Sequence, residues 1–158
     1  MDVLRQTFES LGLSCVATFL GSGNVVFETM AQDTRLLEKK IERRLKKALC
    51  YSVPVFIRTD AELSKIAAYE PFERPAISGT DVNIILLTNV LDQKSEAKLM
   101  ALTTETDGFR VHGKEIYWWR RKKPGTELFS TVPFARALSE PFTIRSASTI
   151  GKLVTKWP

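Results

Sequence analysis

Histidine is nearly missing from these 158 residues, cysteine occurs twice, and no apolar run approaches the roughly 18 residues of a membrane span. Each shortage removes a class of function. With His112 as the sole histidine and only Cys15 and Cys50 beside it, a zinc site of three or four His and Cys ligands cannot be assembled. No metal and no cofactor are expected. The same shortage leaves no Ser-His-Asp or Cys-His set for nucleophilic catalysis, and His112, next to Gly113 in a turn-forming stretch, reads as a solvated residue rather than a general base. Two cysteines do not make a disulfide framework, and Cys15, opening an apolar stretch, reads as a small buried residue rather than a nucleophile. The start of the chain lacks the basic flank and apolar block of a secretory signal, so the expected address is cytoplasmic, with no membrane partner.

What is present is globular: 44% apolar and 26% charged residues, enough for a substantial core. The central local signal is the segment from Thr18 to Phe27, where Gly21-Ser22-Gly23 breaks two runs of β-branched and aromatic residues. It predicts a β-hairpin over 15–20 and 24–29. Before it, Val3, Leu4, Phe8 and Leu11 recur at helical spacing up to Gly12, a natural left-handed helix stop. After it, Asp33 or Thr34 caps a helix with Leu37, Ile41, Leu45 and Ala48 on one stripe, and residues 53–58 read as a strand. The first sixty residues thus spell α-β-β-α-β.

A second pass carries the strand that the first lacks. Val82 to Leu87 is almost continuously apolar, which suits a central strand covered on both faces. A helix near 94–102, a hairpin from 109–111 and 115–119, a helix near 128–139, a strand at 142–145 and a last helix over 147–156 follow. The expected fold class is α+β: two ferredoxin-like βαββαβ repeats forming an α/β sandwich with helices on one sheet face, the first repeat without its opening strand. The expected organisation is an incomplete first lobe over 1–60, a linker with a short helix over 61–79, and a second lobe with a C-terminal helix over 80–158. The open strand slot suggests a homodimer, or pairing with another chain, as one structural role.

Formal charge is +5, so anionic partners are favoured. The nucleic-acid candidates are Lys39, Arg43 and Lys47 on the basic helix face, and the run Tyr117, Trp118, Trp119, Arg120, Arg121, Lys122 and Lys123, where strand aromatics pass into four cations. Cations neutralise phosphates and rings stack bases. Tyr117 and Trp119 share one strand face and are the candidate stackers. Phe109 to Gly113 does not match the glycine and aromatic spacing of an RNA-recognition strand. A separate anion-binding set is Ser22 and Asn24 in the hairpin turn with Arg145 and Lys152, whose cations would stabilise negative charge.

The chain resembles the bacterial DUF1697 family, proteins of unknown function. The likeness is carried by the Leu11-Gly12-Leu13 helix end, Thr18-Phe19-Leu20 leading into Ser22-Gly23-Asn24-Val25-Val26-Phe27, the Phe109 to Trp118 hairpin, and Thr143, Arg145, Thr149, Lys152 and Leu153. Similar members begin with an apolar strand and a glycine-containing loop, and this chain starts after both. Two other places depart from the family pattern: Arg145-Ser146-Ala147-Ser148-Thr149, where members carry Arg-Asn, and Gly125 to Phe129, where members carry a lysine. The resemblance implies a fold and no settled activity. The functional reading is a non-enzymatic binding or interaction module that contacts nucleic acid or another polyanion. The alternative is an enzyme or small-anion protein with its site near the Gly21 to Asn24 turn.

Overall fold

The computed structural model describes residues 2–21, 23–72, 80–121 and 132–158, among which six helices and two antiparallel sheets form a mixed α+β architecture. The chain divides into two compact units, Met1–Arg58 and Thr59–Pro158.

In the first unit, helix α1 (Asp2–Glu9) buries Phe8, and the chain reverses at Gly12, whose φ of +78° is open to glycine at little cost. Strands β1 (Ser14–Phe19) and β2 (Asn24–Glu28) form the hairpin, in register Ala17 to Val26, Thr18 to Val25 and Phe19 to Asn24. The turn passes through positive φ at Leu20, Gly21 and Gly23, while Ser22 lies outside the described residues. A bulge near the start of β1 holds Cys15 at φ +51°. It corrects one expectation: Cys15 is exposed, because the bulged residue leaves the strand alternation that would have turned it inward. Helix α2 (Thr34–Leu49) starts where Asp33 accepts the Leu36 N–H at 3.1 Å, and it buries Leu37, Ile41 and Leu45 against Phe8, Leu13 and Val16.

Residues 53–58 depart from expectation. Val53, Val55 and Ile57 pack against this core at alternate positions, yet the segment belongs to no sheet. Its donors have gone elsewhere: the Val55 N–H donates to Glu42 Oε1 at 2.9 Å and the Ile57 N–H to Glu38 Oε1 at 2.8 Å. No strand among the described residues lies alongside to accept them, so two carboxylates of α2 do so.

The second unit opens with α3 (Asp60–Ala68), fixed by a reciprocal capping box between Thr59 and Glu62. It packs against the last helix and falls in the second unit. Strands β3 (Thr80–Leu87), β4 (Asp107–His112), β5 (Glu115–Arg121) and β6 (Phe142–Ser146) form one antiparallel sheet in the order β4-β5-β3-β6. Helices α4 (Gln93–Met100), α5 (Val132–Leu138) and α6 (Ala147–Lys156) complete it, and the expected start of α5 near 128 lies outside the described residues.

Strand β3 is central, with β5 on one side and β6 on the other. Ile85 and Leu87 join Leu99, Ile116, Trp118, Phe134 and Leu138 in one core cluster, under α4 and α5. Ile84 and its register partner Tyr117 lie on the opposite face, where the Tyr117 hydroxyl donates to the Ile66 carbonyl of α3 at 3.4 Å. The expectation of helices on one face alone is therefore corrected for this unit. A strand apolar at four consecutive positions, Ile84 to Leu87, needs cover on both sides.

Glu38 is 5% exposed and holds a backbone donor that has no strand partner. Glu38→Ala should lower unfolding stability by about 1–3 kcal/mol, the usual cost of orphaning such a group. Glu38→Gln, which keeps an acceptor oxygen, should lose clearly less. Urea unfolding of the three chains checks both.

Candidate functional site

Helix α2 carries Arg35, Lys39, Lys40, Arg43, Arg44, Lys46 and Lys47, all exposed. Its apolar stripe turns inward at three- and four-residue intervals, so the long cationic chains take what remains of the circumference. The helix has two carboxylates, Glu38 and Glu42, and both reach the backbone of residues 55 and 57. Glu38 also lies 3.5 Å from Arg35. Arg44 Nε donates to Ser10 Oγ at 3.2 Å and Arg43 Nε to the Lys39 carbonyl at 3.4 Å, neither of which cancels charge. Lys39, Arg43 and Lys47 stand four residues apart, which sets them about 6 Å apart along the helix axis. This gives a row of unneutralised cations on one rigid element.

The aromatic and cationic run of β5 is disposed differently. Tyr117 is 1% exposed and Trp118 3%, so both rings are core. Tyr117 as a base-stacking residue is thereby corrected: its face of the sheet, expected to be open, is covered by α3, and the Tyr69 ring stands 4.8 Å away. Burial pushes the Tyr117 phenol well above its ordinary range, with Glu115 and Tyr69 adding to the shift. Trp118 packs among Phe109 and Phe134, and its Nε1–H donates to Asp107 Oδ1 at 2.9 Å. The Arg120 guanidinium lies 5.6 Å from the centre of the Trp118 ring and 4.0 Å from Asp107. Trp119 is half-buried, with the Arg121 guanidinium 6.0 Å from its ring centre. Strand aromatics and cations have thus paired with each other and with Asp107. Lys122 and Lys123 lie outside the described residues.

The proposed anion set is divided between the units. In the first, the Asn24 side-chain amide donates to the Phe19 carbonyl at 3.2 Å, closing the hairpin, and Ser22 lies outside the described residues. In the second, Arg145 of β6 is half-buried and donates to Thr143 Oγ1 at 2.7 Å and the Ile144 carbonyl at 2.8 Å, while Lys152 is exposed on α6. Desolvation lowers the Arg145 pKa from its ordinary value. His112 is exposed as expected, its ring stacked 4.1 Å from that of Tyr69.

The residues that sequence reasoning passed over are Glu38 and Glu42. On a helix rich in lysine and arginine they look like partners for neighbouring cations. One signal was available: Glu38 stands three residues before Ile41 and seven before Leu45, on the edge of the buried stripe. Among the described residues, no three His, Cys, Asp or Glu side chains gather as metal ligands, and no helix is long and apolar enough to cross a membrane.

Comparison with known proteins adds kinship without chemistry. The family model described as protein of unknown function DUF1697 matches residues 1–117. No curated protein matches the sequence. Among solved structures, the conserved bacterial protein SP0830 from Streptococcus pneumoniae is similar, with a TM-score of 0.73 and 19% identity over 99% of this chain and 87% of that one. At that identity the likeness concerns the fold.

The buried phenol generates a pH prediction. A tyrosine whose folded pKa is raised gives stability that is fully present below the unfolded value near 10 and lost as pH rises past it. On alkaline titration followed by tyrosinate absorbance, Tyr117 should stay silent until the chain unfolds. Tyr117→Phe should weaken the decline of stability between pH 10 and 12. A wild-type chain in which all three tyrosines ionise together at pH 10 while still folded would contradict it.

Proposed function

We propose for this chain, which belongs to the DUF1697 family of unknown function, a role as a non-enzymatic binding module that contacts the phosphate backbone of nucleic acid through the outer face of α2. The observation that carries this reading is the disposition of charge on that helix. Seven exposed cations share it with two carboxylates, and both carboxylates are engaged on the backbone of residues 55 and 57. A cationic row without interleaved acids attracts a polyanion over a Debye length and releases its counterions on contact.

Recognition of this kind is independent of base sequence. Of the two candidate stackers, Tyr117 is a core residue and Trp119 is half-buried with the Arg121 guanidinium at its ring, which favours phosphate contacts over stacking. Both units are read as versions of one ferredoxin-like plan. The order β4-β5-β3-β6, with the first strand of the unit between its third and fourth, supports that reading for the second unit. The run α1, β1, β2, α2 and the extended 53–58 segment supports it for the first.

Fluorescence anisotropy with a labelled single-stranded oligonucleotide, across a series of salt concentrations, tests the role. Affinity should fall steeply with salt, at roughly 0.7 in the logarithmic slope for each phosphate contacted. The triple variant Lys39→Glu, Arg43→Glu, Lys47→Glu changes only exposed residues and should keep the fold. It should flatten the slope by roughly 2 and weaken binding at least about tenfold. Binding that is absent, insensitive to salt, or unchanged in the triple variant would remove this function. Loss in Arg120→Ala, Arg121→Ala with the α2 variant unaffected would move the surface to β5.

A further inference from the structure

The lysines of α2 come in a definite order. Lys39 and Lys40 form one doublet and Lys46 and Lys47 another, seven residues on, so the doublets lie about 10 Å apart along the axis. Seven residues are close to two whole turns, which sets Lys46 in line with Lys39 and Lys47 in line with Lys40. Neighbouring residues stand about 100° apart around a helix, so the doublets make two rows that diverge from one face. All four lysines are exposed, and the buried stripe of Leu37, Ile41 and Leu45 lies on the opposite side.

Between the rows, on the outermost line of the helix, stand Arg43 and Leu36, the latter 63% exposed. The line Lys39, Arg43, Lys47 crosses from one row to the other. The two arginines farther round are drawn toward the body of the unit, Arg35 lying 3.5 Å from Glu38 and Arg44 donating to Ser10 Oγ at 3.2 Å. The projecting face is therefore convex, with a lysine row along each flank.

This form selects among polyanions. A single strand is held in a basic groove by aromatic platforms, and α2 is a ridge without an aromatic residue. A lipid surface favours apolar side chains along the outermost line, where Leu36 shares the place with Arg43. The major groove of B-form DNA is about 12 Å wide, admits a helix of about 10–12 Å diameter, and has a phosphate backbone along each wall. Two diverging rows fit two walls. The corresponding groove of A-form RNA is too deep and narrow for such an entry.

We infer that the polyanion taken by α2 is double-stranded DNA. The helix lies in the major groove, with Lys39 and Lys46 on the backbone of one strand and Lys40 and Lys47 on that of the other. Arg43 and Leu36 face the base edges, too few contacts to fix a sequence. The inference rests on the nucleic-acid reading of α2 and narrows it to one class of ligand.

Fluorescence anisotropy of the full chain is measured with three labelled probes of one length and sequence: duplex DNA, duplex RNA and single-stranded DNA. Duplex DNA should bind at least about tenfold more tightly than duplex RNA, which carries as many phosphates, and than the single strand. The paired variants Lys39→Ala, Lys46→Ala and Lys40→Ala, Lys47→Ala change exposed residues only and should keep the circular dichroism of the parent. Each pair should lower the logarithmic salt slope on duplex DNA by roughly 1.8. Guanine N7 opens on the major groove, so saturating protein should slow its methylation by dimethyl sulfate severalfold. Equal binding of duplex RNA or of the single strand, a loss confined to one lysine pair, or unhindered N7 methylation overturns the inference and leaves the broader nucleic-acid reading in place. If none of the three probes binds, both fall. Tighter binding to phosphatidylserine vesicles than to duplex DNA assigns the face to a membrane and also overturns it.

Discussion

Every backbone N–H drawn toward an apolar core must find an acceptor, and the two units meet that demand in different ways. In the second, β3 runs through the middle of the sheet and serves both neighbours, so the ladder closes and Ile84 to Leu87 are buried on both faces. In the first there is no such strand among the described residues, and the carboxylates of Glu38 and Glu42 stand in at Ile57 and Val55. A charged acceptor makes a stronger bond than a carbonyl, but each of these two side chains holds a single N–H of the segment. Two glutamates therefore hold down two residues of the segment, where a strand would engage its whole length.

That substitution has an electrostatic consequence for the helix that provides it. Glu38 and Glu42, the only acids of α2, spend hydrogen bonds on that backbone, and Glu38 also pairs with Arg35. Further ion pairs at helical spacing, beyond the one between Arg35 and Glu38, would have muted its charge. With the acids engaged, Lys39, Lys40, Lys46 and Lys47 keep their field. The two-stranded sheet of the first unit and the outward excess of cations on its helix thus meet in the same two glutamates. On β5 the opposite happened, and Arg120 and Arg121 settled over Trp118 and Trp119 with Asp107 beside them.

Much of the local structure was legible in the residues. The Gly21 to Gly23 break gave the hairpin, Gly12 the first helix stop, Asp33 the cap of α2, and the apolar run at 82–87 a central strand, because each rests on a period or a backbone angle that neighbouring residues impose. The same reasoning overreached where the deciding partner is distant. Residues 53–58 have strand composition, but a strand exists only beside another one. Cys15 has the alternation of a buried position, but a bulge rotates it outward. Tyr117 reads as half of an aromatic platform until α3, fifty residues earlier in the chain, covers it.

By itself, then, the sequence determined the element types, the α+β class, membership of the DUF1697 family and the positive balance, all of which follow from short-range periodicity, local motifs and counting. Tertiary structure alone decided which ionisable groups are spent and which are free. It put Glu38 and Glu42 on a backbone nineteen and thirteen residues away, enclosed Tyr117, and left the cations of α2 in water. The reason is that hydrogen-bond satisfaction and burial are settled by contacts between elements remote in the chain, and no local pattern specifies which remote acceptor a given N–H will meet.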